Sequence, residues 1–351
     1  MRTLPTIFIV PTGIGCEIGG FAGDAIPAAK LLAASTGCLI THPNVMNGGS
    51  LSTVDEKIFY VEGYSLDKFA RGEIGLKKVN QQRIGIIFDS SISNEMFHRH
   101  LQVADACTAT LGINLEAYVR TNKPLGVVFE DQASGASGGY IENPDTLIEA
   151  GQKLLNQGIT AIAIVSDFPD ELEDKDITLY REGKSVDKIS GVEAVISHLI
   201  SKFLKVPCAH APALSPLNVK EDLDPRAAAE EIGFTFLPSV LMGLNKAPNL
   251  VDLPSSDREI TLLPNEVRSI VVPSGALGGE AVLACIERGI PVIAVKNKSI
   301  LKVDSEKINY SNIIDVNNYF EAAGVLLSLR EGIALKSLQR PIKSFKNFQI
   351  I

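Results

Sequence analysis

Two kinds of apolar pattern alternate along this chain. Short continuous runs rich in β-branched residues occur at Ile7–Val10, Cys38–Thr41, Arg83–Asp89, Gly126–Phe129, Thr160–Val165, Ser269–Pro273 and Pro291–Val295. Such runs predict strands covered on both faces, as in parallel sheets. Between them, apolar residues recur every three or four positions, over Asn94–Leu111, Asn143–Gln157, Gly191–Leu204, Glu280–Arg288 and Tyr319–Leu329. That spacing predicts helices with one inward face, for example Val192, Val195, Ile196 and Leu199. Strand and helix signals in alternation predict an α/β fold, with mostly parallel sheets and helices on both faces.

Three stretches share a more detailed pattern of strand, glycine turn, helix and strand. The first runs from Ile7 to Asn47 with the turn PTGIGCEIGG, in which Thr12, Gly13, Gly15, Gly19 and Gly20 stand out. The second runs from Leu125 to Asp170 around Ser134, Gly135, Ser137, Gly138 and Gly139. The third runs from Arg268 to Lys298 around Ser274, Gly275, Gly278, Gly279 and Glu280. Near-equal spacing permits a pseudo-repeat. A helix that starts at a glycine turn leaves backbone N–H groups unpaired, and these favour an anion by up to ~2 kcal/mol in partly buried sites. The expectation is that the three turns converge on one small anionic ligand bearing phosphate or carboxylate. The glycine spacing fits neither G-x-G-x-x-G nor a P-loop, and the Walker lysine is absent.

The remaining segments carry weaker signals. Pro169–Ser190 is the most charged part of the chain and reads as an exposed connection, segment 171–190, between lobes 1–170 and 191–351. Ser65–Lys78 reads as a short helix, Val206–Pro216 as a rigid proline-punctuated loop, and Phe234–Leu244 as an apolar run of undecided type.

Composition narrows the possible functions. A 45% hydrophobic, 21% charged chain of 351 residues is an ordinary globular α/β composition. Its net charge of −8 argues against general nucleic-acid binding. No apolar run reaches the ~20 residues of a membrane span. These points predict a soluble cytoplasmic protein, with a homo-oligomer permitted. The five cysteines show no metal-ligand spacing, so no metal is expected. Cys16 differs from the others in lying within a turn near a helix start, where a thiol pKa can fall.

Candidate proton-transfer residues follow from strand ends, where open α/β sheets place their sites. His42 and Asn44 follow the second predicted strand, and Glu130 and Asp131 adjoin the second turn. His210 lies in the proline loop, and Lys296 at a later strand end could answer a ligand's charge. Asp24 is placed as a helix N-cap. We therefore expect an enzyme in which His42, Glu130, Asp131 or His210 moves protons on a bound anion. No particular cofactor or reaction follows from these residues.

The segments PTGIGCEIGGFAGDA, PCAHAPALSP and VVPSGALGGEAVLACIERGIPVIAV resemble an uncharacterised protein family of photosynthetic bacteria, which implies a cytoplasmic setting. Locally, Ser274-Gly275, Glu280-Ala281 and Gly289–Val292 resemble the donor motif of two-domain glycosyltransferases, although the helix here is about one turn longer. That likeness implies a nucleotide-sugar diphosphate at the helix start and an acid on a sugar hydroxyl. The three serine or threonine glycine turns are also similar to those of threefold amidohydrolases of the cyanuric acid hydrolase type, but the matching serine–lysine pairs are missing. A non-catalytic sensor with the same pockets is the alternative outside enzymology.

Overall fold

The structure is a computed structural model. It describes residues 3–48, 55–169, 174–214, 218–231, 235–342 and 344. The chain opens with β1 (Thr6–Phe8), α1 (Ile26–Thr36), β2 (Leu39–Thr41), α2 (Pro43–Met46), β3 (Ile58–Tyr60), α3 (Gly63–Ala70) and β4 (Ile74–Lys77). It continues through β5 (Ile84–Phe88), α4 (Asn94–Leu111), β6 (Leu115–Arg120), β7 (Val127–Asp131), β8 (Ser137–Ile141), α5 (Pro144–Leu155) and β9 (Ala161–Ser166). Next come α6 (Asp174–Arg181), α7 (Ser190–Leu204), β10 (Cys208–Pro212), α8 (Pro225–Glu231), α9 (Leu237–Asn245) and β11 (Asn249–Asp252). The last elements are β12 (Ser269–Pro273), α10 (Glu280–Glu287), β13 (Val292–Val295), β14 (Ile313–Val316) and α11 (Tyr319–Glu331).

Two parallel sheets carry the fold. The larger has the order β14-β13-β12-β1-β2-β3, and the smaller β10-β9-β5-β6. Every residue of β1, β2, β5, β9, β12 and β13 is buried, as continuous apolar runs require. Helix α1 packs on α11, and α10 on α3. Antiparallel ribbons β4–β11 and β7–β8 complete the sheets.

The sheets do not follow a division into 1–170 and 191–351. The six-stranded sheet takes three strands from each end of the chain, and the four-stranded sheet comes from the middle. Strand β1 pairs with β2 on one side and with β12 on the other. The order therefore reverses between β1 and β12, where both halves of the chain start winding outwards.

Several local expectations change. Residues 74–77 of the predicted helix Ser65–Lys78 form β4, because they find the edge of β11. The proline loop is largely strand β10, with Pro212 closing it. Proline is tolerated because β10 is an edge strand. The second glycine turn does not start a helix: it is a hairpin between β7 and β8, and Ser137, Gly138 and Gly139 pair with Asp131, Glu130 and Phe129. The undecided run Phe234–Leu244 contains α9, and Phe234 itself lies outside the described residues.

Candidate functional site

A cavity of about 700 Å³ lies at the carboxyl ends of strands from both large sheets. The first glycine turn forms one wall through Thr12, Gly13, Gly19 and Gly20, and His42, Asn44 and Asn47 after β2 continue it. His210 and Pro212 of β10 face it from the smaller sheet. Carboxyl ends of parallel strands are where α/β proteins place ligands.

The third wall is a face of α7. Val192, Ile196 and Ile200 bury one side of this helix in the core. Ser190, Glu193, Ala194, Ser197 and His198 line the cavity from another side. These positions step by three and one, the spacing of a single helical stripe. The helix thus has two inward faces, one apolar and one polar. His198 belongs to the polar one.

At one end of the cavity His210 is held between two α7 side chains. Its Nδ1 is 3.1 Å from Ser197 Oγ and its Nε2 is 3.5 Å from Glu193 Oε2. Glu193 is 9% exposed, and its Oε1 has no hydrogen-bond partner among the described residues. Asp187 and Glu230 line the same end. Burial, reinforced by the charge of Glu193, pushes Asp187 up to about 7. Burial and then Asp187 push Glu230 far above the usual carboxylate range. Tyr180 donates to the Glu230 carboxyl at 2.8 Å. Burial disfavours each charged form, and like-charged neighbours in one low-dielectric space add to it.

At the other end, His198 Nε2 lies 3.0 Å from Glu62 Oε1. Glu62 also caps α3 by accepting from the N–H of Tyr64 at 2.9 Å. Burial lowers the His198 pKa, but the hydrogen bond and charge of Glu62 outweigh it, so the net shift is upward. His42 accepts the Val10 N–H on Nε2 at 3.2 Å, and burial lowers its pKa to about 4. It is therefore a neutral imidazole at ordinary pH. Asn44 is fixed by donating to Val10 O at 2.9 Å.

An aromatic and cationic stack ties the first turn to α6 and α8. Phe21 stacks on Tyr180 with ring centroids 4.6 Å apart, and the Arg226 guanidinium lies 4.4 Å from the Phe21 centroid. Residues 177–190, expected to be an exposed connection, are thus cavity wall: Tyr180, Val186 and Asp187 all line it.

Several amides of the first turn already have partners from the protein itself. Asp24 accepts the Gly19 N–H, and Glu230 accepts the Ala22 N–H. Asp24 is therefore not the N-cap: that position is Ala25, without a side-chain bond. Burial raises Asp24 to about 6. Cys16 is 2% exposed, and burial pushes its thiol up to about 12, the opposite of activation. Gly15 has φ +60 and is covered by Val186.

The three turns do not converge. The second touches the first from behind: Ser137 N–H donates to Gly13 O at 3.0 Å. Gly13 has φ +68, and a Cβ there would fall 2.0 Å from Ser137 Oγ. Ser134 and Gly135 are exposed at the hairpin tip, Gly138 and Gly139 are strand residues, and Glu130 is exposed. Asp131 ends β7, and its side chain lies outside the described residues.

The third turn is folded on its own neighbours. Ser274 N–H donates to Val295 O at 2.7 Å, Ala276 N–H to Pro273 O at 2.9 Å and Leu277 N–H to Val303 O at 2.9 Å. A Cβ on Gly275 would lie 2.3 Å from Leu301 O, and Gly278 faces Val303. Gly279 is the N-cap of α10, and Ala281 N–H donates to Asp67 Oδ1 at 3.1 Å. Glu280 is ion-paired with Arg71. Lys296 is exposed, with its N–H on Val316 O. None of these residues lines the cavity.

Sequence reading alone missed Asp187, Glu193, Glu230 and Tyr180. The available signal was the stripe Ser190, Glu193, Ala194 and Ser197, set beside an apolar stripe on the same helix.

The architecture is thus an α/β class built on two parallel sheets with a cavity of mixed polar and apolar lining at their strand ends. The chain belongs to a family described as "Protein of unknown function (DUF3326)", whose model matches residues 5–339. An "uncharacterized lipoprotein" of Synechococcus sp. is 44% identical over 333 residues, covering 95% of this chain and 92% of that protein. A nucleotide-free acetone carboxylase structure shares 12% identity over 68% of this chain and 33% of that one, with a TM-score of 0.18. That score is too low to relate the folds.

Among the described residues, no helix is long and apolar enough to cross a membrane, and no group of three or more His, Cys, Asp or Glu could hold a metal ion.

Proposed function

We propose that this protein is an enzyme acting on a small molecule in the cavity between the first glycine turn, β10 and the polar face of α7. In this reading His210 and Glu193 relay a proton to or from the substrate. Asp187 and Glu230, kept protonated by burial, donate hydrogen bonds or a proton. The observation that carries it is the meeting of Glu193 and His210, from two different elements, in one cavity beside two carboxyls with raised pKa values. Carboxyls with raised pKa values beside a histidine in one cleft are what acid–base chemistry uses.

The glycine turns by themselves suggest an anionic substrate. The Asp24 and Glu230 carboxyl groups at the Gly19 and Ala22 amides, and a carboxyl-rich wall, weigh towards a neutral or cationic one. A nucleotide-sugar at 274–280 has less support, because the Ser274, Ala276 and Leu277 amides bond to Val295, Pro273 and Val303, and Glu280 is ion-paired with Arg71.

A thermal-shift screen with amines, polyols, dicarboxylates, sugar phosphates and UDP-sugars tests the reading. Turnover follows by mass spectrometry on wild type, His210→Ala and Glu193→Gln. Stabilisation without turnover would leave a sensor, and no stabilisation by any compound class would remove the cavity as a ligand site.

We place the reaction in the cytoplasm. All five cysteines are unpaired and buried, which a reducing compartment permits. The name of the Synechococcus relative raises a lipid anchor, which sits on a cysteine made N-terminal by cleavage. Intact mass of the protein from soluble and membrane fractions decides the point: an acylated species in the membrane fraction would overturn the placement.

A further inference from the structure

Resting on the proposed enzyme reading, we infer that the substrate carries a protonated nitrogen on an apolar body, with the nitrogen seated against Glu193 at the carboxyl end of the cavity. Three observations lead there.

The first is the unanswered oxygen. Glu193 lines the cavity and is about nine-tenths buried, yet its Oε1 finds no donor among the described residues. A buried carboxyl oxygen without a donor costs about 1–3 kcal/mol or more, so such an atom marks a place for a ligand's N–H.

The second is the charge inventory of the wall. The cations that line the cavity are committed elsewhere. Arg181 is held by Glu231 at 2.7 Å, Lys220 by Glu182 at 2.8 Å and His198 by Glu62 at 3.0 Å. The groups that face Asp187 are Glu193 of α7, Glu230 of α8, Tyr180 of α6 and His210 of β10, besides the N–H of Ile189 at 3.0 Å. Only His210 among these can bring a positive charge. A ligand cation would relieve the repulsion that these carboxyls exert on one another.

The third is the rest of the wall. Phe168, Ile177, Val186, Leu214 and Phe236 line the space, so an apolar body is accommodated next to the acidic end. A volume of about 700 Å³ suits a molecule of drug-like size.

The test uses three probes of one shape: 2-phenylethylammonium, 2-phenylethanol and phenylacetate. Their affinity for the full chain is measured by calorimetry at pH 8 and pH 5.5. The ammonium is expected to bind at least tenfold tighter than the alcohol at pH 8, with phenylacetate weakest. Glu193→Gln keeps the shape of the side chain and is expected to lower ammonium affinity at least tenfold while leaving the alcohol unchanged. Asp187→Asn provides a second variant if the first fails to fold.

Ammonium affinity should also fall as pH drops below about 7, because Asp187 takes up a proton. Equal or tighter binding of phenylacetate, or ammonium binding indifferent to both variants, overturns the inference. Alcohol binding alone overturns it but keeps the cavity as a ligand site. Silence from all three probes also overturns it and leaves the enzyme reading to the broader compound screen.

Discussion

The first and third glycine turns begin alike and end differently. Each follows a buried parallel strand, β1 or β12, and these two strands lie side by side in the sheet. Each contains a small hydroxyl residue, a glycine and a later glycine pair. The first turn lines a cavity of about 700 Å³, whereas the third is sealed by its own chain. What differs is the segment laid over each turn. Residues 301–303 run across the third turn and take up Gly275 and Leu277 in backbone bonds. Residues 297–300 also lace to the first turn: Asn297 exchanges two side-chain bonds with Ile18, and Ile300 N–H donates to Ile14 O. These bonds fill the crevice between β1 and β12. The open side of the first turn faces α7 and β10 instead. A glycine turn after a strand is therefore only half of a site, and the other half is the element that packs across from it.

The largest expected contrast is chemical. In whatever turnover the screen finds, His210→Ala and Glu193→Gln should each lower the rate by about 10²–10⁴-fold, the range of a lost acid–base group. Glu280→Gln at the third turn should leave it within about twofold. A comparable loss from Glu280→Gln would move the site to the third turn.

A second contrast lies in the glycines. Gly13→Ala combines a left-handed backbone, which costs roughly 1–2 kcal/mol, with a clash against Ser137. We expect a loss of more than about 2 kcal/mol in urea unfolding, together with loss of ligand binding. Gly275→Ala clashes with Leu301 O and should cost stability, while its folded fraction keeps ligand affinity.

A third contrast concerns pH. Asp187 has a folded pKa of about 7 against an unfolded value of 3.8, so the folded state holds the extra proton. Its contribution to stability is present below about pH 4 and is lost as pH rises to about 7. Asp187→Asn should therefore gain stability relative to wild type over that window, by up to about 1.4 kcal/mol for each step of one in pH. His42 works in the opposite sense. Its pKa is lowered to about 4, so its contribution is present above about pH 6.5 and fades as pH falls towards 4. Melting temperatures of wild type, Asp187→Asn and His42→Gln between pH 4 and 8 separate the two. A gain for Asp187→Asn that does not change with pH would break the assignment.

The smallest effect is expected at Arg71–Glu280. Its side chains are 35% and 50% exposed, so removing the pair should change stability by less than about 1 kcal/mol.

The sequence by itself determined the α/β class and most of the strands and helices. Continuous apolar runs can be satisfied only inside a covered parallel sheet, and a 3.6-residue stripe only on a helix, so these signals are local and survive without a partner. The run Asn94–Leu111 matches α4 residue for residue, between the Ser93 cap and Gly112 in the left-handed region. His42, Asn44, His210 and the first turn were legible as candidates because strand ends carry sites in this class.

Tertiary structure alone decided which candidates meet. Residues 74–77 became a strand because β11 offered an edge, and the second glycine turn became a hairpin because β7 lay beside it. Glu193 and Asp187 became site residues because α7 is buried on two sides, a condition set by β10 and the first turn and not by the helix's own pattern. Several amides of the glycine turns, such as those of Gly19, Ala22, Ser274 and Leu277, are unassigned in the sequence and occupied in the fold. Whether a backbone N–H is unpaired depends on what arrives opposite it. Glu230 reaches the Ala22 amide from 208 positions along the chain, and an arrival from that distance leaves no mark on the local pattern.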